Sequence, residues 1–160
     1  MKKFVIRYGI IGGLTSMVLG LLNWFLIAKT LGFGASQWVG YLSIVVSLMC
    51  VPLGIKYYRD KLNNGVVSMG QSFRIGMGIT LVASVIMFIY SMLFFIIAGS
   101  DFDQWKDQAA AQDQVNDVPE FATTFWFQGL IMFLTVLLIG FIVNLINSLV
   151  LKSNKPETTT

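Results

Sequence analysis

Four long apolar windows contain no Asp, Glu, Lys or Arg: Tyr8 to Ala28, Trp38 to Ile55, Ile75 to Gly99, and Phe121 to Leu151. This feature limits the fold more than any other. A helix needs about 20 apolar residues to cross the hydrocarbon core of a bilayer. The second window has only 18 residues, but Tyr57 and Tyr58 can add length at an interface. The fourth is longer than a crossing requires, which places its first residues at the surface. None of the windows alternates apolar and polar residues as barrel strands do. Helices also satisfy their own backbone hydrogen bonds, which lipid cannot do. Composition agrees, since 56% of the 160 residues are hydrophobic and 12% are charged. Soluble domains carry about 25% charged residues, and a chain this short has too little interior to hide so much apolar surface.

The expected fold class is therefore all-α: a single integral-membrane four-helix bundle spanning residues 1–151. Its helices are expected at about 8–28, 37–62, 69–98 and 125–151, with an acidic outer loop at 100–120 and a disordered polar tail at 152–160. Lys2, Lys3 and Arg7 resemble the charged start of a signal peptide. However, the following apolar run is too long and no small-x-small cleavage site follows it, so the first helix is expected to be retained.

Cations are distributed unevenly between the two sides of such a bundle. Nine fall with the N-terminus (Lys2, Lys3, Arg7), the connection between spans two and three (Lys56, Arg59, Lys61, Arg74) and the C-terminus (Lys152, Lys155). Two fall on the other side, Lys29 and Lys106. The positive-inside rule then predicts an N-in, C-in multi-pass protein of a bacterial inner membrane. Aromatic placement agrees independently. Trp24, Trp38, Trp105 and Trp126 fall on the predicted outer side, and Tyr8, Tyr57 and Tyr58 at the inner interface.

The basic connection has its own local grammar. The second helix should run on through "KYYRDKL" and stop at Asn64 or Gly65, which tolerate a left-handed cap. Ser68 and Gln71 have capping-box spacing and should start the third helix near Met69. The segments "GIKYYRDK" and "GQSFRIG" here resemble the family known as domain of unknown function 4199, as do "MKKFVIRYGIIGGL" and the acidic opening "SDFDQW". The resemblance covers nearly the whole chain. It implies a small four-helix membrane protein of a family found mainly in Bacteroidota, and it supplies no activity, substrate or catalytic residue.

Lipid gives helices no hydrophobic drive to associate, so small residues mark close contacts. Gly12, Ser16 and Gly20 form one such stripe. Gly40, Ser43, Ser47, Cys50 and Gly54 form a second, and Ser72, Gly76, Thr80 and Ser84 a third. The stripes can pack inside one bundle or face a second subunit, and spacing does not separate the two. "RYGIIGGLTS" and "RIGMGITLVAS" hint at a duplicated helical hairpin.

The candidate chemistry is sparse. No ionisable residue lies deep in a window, which argues against a proton or ion relay. Asn144 and Asn147 lie on one face of the fourth helix beside Ser148, where interhelical hydrogen bonding is the expected role. With Arg7 and Arg74 at similar depth, they form a speculative polar cluster able to hold a lipid phosphate. Asp101, Asp103 and Asp107 fail the calcium-loop pattern, because Trp105 and Lys106 stand at its fifth and sixth positions. Phe102, Trp105, Ala109 and Val115 have the spacing of a surface amphipathic helix. There is no histidine, no GxSxG elbow, no Walker loop and no dinucleotide fingerprint. No cofactor, metal or catalytic site is expected. With a net charge of +3 and no basic stripe with interleaved aromatics, nucleic acid is not an expected partner. The expected partners are the bilayer and either further copies or another membrane protein. The leading function is that of a non-enzymatic membrane component. The alternative is a small transporter or channel subunit acting as an oligomer.

Overall fold

The computed structural model describes residues 2–28, 30, 33–113, 121 and 124–151, and their side chains except at 2, 33, 34, 37 and 98–113. The tail expected at 152–160 lies outside these residues, as do Lys29 and Val115. Helix α1 (Lys2–Leu22) runs on into π-type turns over Asn23–Ala28. Helices α2 (Phe33–Leu48) and α3 (Cys50–Tyr57) follow, the latter ending in π-type turns over Tyr58–Leu62. The long α4 covers Met69–Asp113 and α5 covers Phe125–Leu151. Among the described residues there is no β-strand, and four spans are long and apolar enough to cross a membrane: Lys3–Ala28, Trp38–Leu62, Met69–Ile97 and Phe125–Leu151.

The second span is broken at Met49 because of Pro52. Proline has no N–H to give the carbonyl four residues back, and its ring crowds that carbonyl. The Met49 N–H closes a tighter turn on Val46 at 3.2 Å, and the Leu53 N–H reaches Met49 at 3.4 Å. Asn64 (φ 50°) and Gly65 (φ 79°) then adopt the left-handed conformation, and the Gly65 N–H donates to the Arg59 carbonyl at 2.7 Å. The capping box forms reciprocally. The Gln71 N–H donates to Ser68 Oγ and the Ser68 N–H to Gln71 Oε1, each at 3.3 Å.

Helix limits differ from the apolar windows in a consistent direction. α1 starts at Lys2 rather than near 8, α2 at Phe33 rather than near 37, and α4 continues to Asp113 rather than ending near 98. The stretch placed in the outer loop is helical as far as Asp113. Charge marks where a helix leaves lipid, not where it stops. No proline falls between Gly99 and Pro119, and Ala109, Ala110 and Ala111 are strong helix formers.

α4 is central and packs against both α1 and α5. α1 runs parallel to it: a Cβ on Gly9 would lie 2.5 Å from Val82, one on Gly13 2.8 Å from Ile86, and one on Gly78 2.8 Å from Val5. Each contact advances four residues along both helices. The buried apolar core contains Ile44, Leu48, Val51, Ile55, Ile75, Ile79, Met87 and Val136. The outer faces carry large apolar side chains, including Leu14, Leu42, Leu81, Leu93 and Leu138.

Candidate functional site

Two polar seams and one basic end stand out in this apolar molecule. The first seam lies between α4 and α5, which run antiparallel. Gly76 of α4 is covered by the side chain of Asn144, and Gly140 of α5 by that of Thr80. A Cβ on either glycine would overlap its neighbour. The same register sets buried Ser72 level with buried Ser148, and buried Ser84 level with Val136. Asn144 is fully buried. Its Nδ2 donates to the Phe73 carbonyl at 2.8 Å, and its Oδ1 accepts from Ser148 Oγ at 3.4 Å. The Ser72 and Thr80 hydroxyls, one turn to either side of Gly76, are buried without a hydrogen-bond partner among the described residues.

The second seam joins α1 to the second span. Ser16 Oγ donates to Ser47 Oγ. Gly12 lets the Ser47 carbonyl approach, so that a Cβ there would lie 3.4 Å from it. Farther along, Asn23 Nδ2 donates to the Ser36 carbonyl at 2.9 Å. All three small-residue stripes therefore turn partly or wholly into the bundle. Neither seam holds an Asp, Glu, Lys, Arg or His among the described positions. Their neutral hydroxyls and amides can fix helix register.

The third feature is the end that carries the start of α1, the α3–α4 turn and the end of α5. Phe4 meets Tyr57 and Tyr58 with near-parallel rings at 6.1 and 5.9 Å between centroids, and meets Tyr8 edge-on at 5.4 Å. Phe73 meets Phe141 edge-on at 5.7 Å. Lys3, Arg7, Lys56, Lys61 and Arg74 are exposed around these rings. Arg59 Nε donates to Asp60 Oδ1 at 2.7 Å.

The four residues singled out as a polar cluster separate into two kinds. Asn144 sits inside the first seam, whereas Asn147 is half-buried and donates to its own helix, to the Val143 carbonyl at 2.8 Å. Arg7 and Arg74 are exposed, and among the described residues no hydrogen bond or ion pair joins either to an asparagine. Sequence reading passed over Gly140. Its signal was present: Val136, Gly140, Asn144 and Ser148 are four apart and all buried. A stripe of small residues alone breaks at Asn144, although its amide fills the space left by Gly76.

A family model described as "Protein of unknown function (DUF4199)" matches residues 7–153. No curated protein and no solved structure matches the chain.

Proposed function

The chain belongs to the DUF4199 family of proteins of unknown function, and on that premise we propose a non-enzymatic component of a bacterial inner membrane. It would lie N-in and C-in and act by associating with further copies or with another membrane protein. One observation carries this reading. The polar side chains at depth are neutral and lie in close helix–helix contacts, as Asn144 does against Gly76 and Phe73. A bundle held in this way suits a rigid body that presents large apolar side chains to its surroundings. Because the small-residue stripes turn inward, contact with a partner would use these larger side chains. The nine-to-two cation asymmetry supports the orientation.

A second reading is supported by the free hydroxyls of Ser72 and Thr80. Polar groups inside the bundle without partners suit a small transporter or channel subunit that completes its path as an oligomer. Mass measurement of the complex extracted from native membranes tests both readings. A particle holding one copy and no other protein overturns both. An assembled particle that conducts ions or solutes in proteoliposomes favours the second, and one that conducts nothing favours the first.

A further inference from the structure

We propose that the end of the bundle carrying the α3–α4 turn is a binding surface for anionic lipid headgroups, assembled from two distant basic segments that Phe4 holds together. Lys3 and Arg7 flank Phe4 on α1. Lys56 and Arg59 flank Tyr57 and Tyr58 at the end of the second span. The ring contacts of Phe4 with Tyr57 and Tyr58, at 6.1 and 5.9 Å, bring these segments side by side. Tyr8 closes the group, 5.4 Å from Phe4 and 5.9 Å from Tyr57.

The charge balance at this end points to an anionic partner. Asp60 is the only carboxylate among its described residues, and Arg59 already holds it at 2.7 Å. Lys3, Arg7, Lys56, Lys61 and Arg74 are exposed and make no ion pair among the described residues. The tyrosines indicate the depth. Rings with a polar tip settle at the headgroup level, so the cations beside them stand at the height of lipid phosphates. Long basic side chains reach that level while their stems stay on apolar surface. In a bilayer, lipids would surround the bundle, so this surface would be occupied without a separate encounter. The proposal concerns the lipid contact alone and does not rest on the assembly reading above.

The test uses the full chain in nanodiscs of phosphatidylcholine and phosphatidylglycerol in equal amounts. Native mass spectrometry after detergent extraction counts the lipid retained. The expected result is enrichment of phosphatidylglycerol, falling about fivefold for each cation replaced in Lys3→Gln and Lys56→Gln. Phe4→Ala removes no charge, yet it should lower the enrichment because the two segments part. Melting in phosphatidylcholine alone shows whether that variant folds. If it does not, Phe4→Leu, which removes both ring contacts with the second span and keeps an apolar side chain of similar volume, takes its place. Unchanged enrichment in the folded aromatic variant, or in the glutamine variants, overturns the proposal. So does inorganic phosphate if it raises the melting temperature in phosphatidylcholine nanodiscs as much as phosphatidylglycerol does, since the ligand would then be a free anion.

Discussion

Asn144 of α5 donates its side-chain amide to the backbone carbonyl of Phe73 in α4, 71 positions away, at 2.8 Å. The bond is possible because Gly76 has no side chain: the amide occupies the volume that a Cβ would fill. One hydrogen bond and one missing methyl together set the register of the two helices.

Gly76→Ala should therefore destabilise the bundle by about 1–3 kcal/mol, the usual result of overfilling a packed contact. Asn144→Ala should cost less through the bond itself, about 0.6 kcal/mol for an interhelical hydrogen bond in a membrane, plus a term for the volume left empty. The double variant should be milder than the two effects added, because the new methyl enters the space that Asn144 vacates. Detergent melting of all four proteins checks this. Strict additivity would mean that the two positions do not share one volume.

Thr80 and Ser84 are fully buried against α5, while Leu81 between them is half-exposed to the surroundings. Thr80→Leu and Ser84→Leu should each lower stability by about 1–3 kcal/mol. Leu81→Phe should change it little, since lipid adapts to the larger ring. Equal melting curves for the three variants would rule out this stripe as a contact face.

These contrasts show what sequence could and could not specify. The four spans were legible because charge is excluded from hydrocarbon, and the α3–α4 turn because Asn64, Gly65, Ser68 and Gln71 act on their own backbone. The pairing of the faces was not legible. In water a helix separates apolar from polar sides, but here exposed Leu81 and buried Ile79 are both apolar. Small residues mark a close approach without naming the neighbour, so Gly9 gave no hint of Val82, nor Gly140 of Thr80. Similar depth put Arg7 and Arg74 beside Asn144 and Asn147, but depth says nothing about direction around a helix axis.

Topology is open to a direct measurement. In a Cys50→Ser background, a cysteine at exposed Leu62, next to the α3–α4 turn, should resist membrane-impermeant thiol reagents in intact spheroplasts. A cysteine at Gln112, in the acidic stretch of α4, should react. Labelling at position 62 with protection at 112 would invert the orientation inferred from the cation count.

Arg74 distinguishes a charge from a grip. Its side chain is exposed, and the Asn144 amide, grouped with it by depth, is already engaged by the carbonyl of Phe73. A cation in this position needs only to reach the headgroups, which lysine does as well as arginine. Arg74→Lys should therefore match the wild type in melting and in retained phosphatidylglycerol. Arg74→Gln should stay folded and retain about fivefold less of that lipid. A grip on one phosphate would behave differently, because lysine lacks the planar fork and its paired hydrogen bonds. A Lys variant that folds normally but sheds its anionic lipid would show that Arg74 holds a headgroup through that fork, and the point-charge account of this end of the bundle would fail.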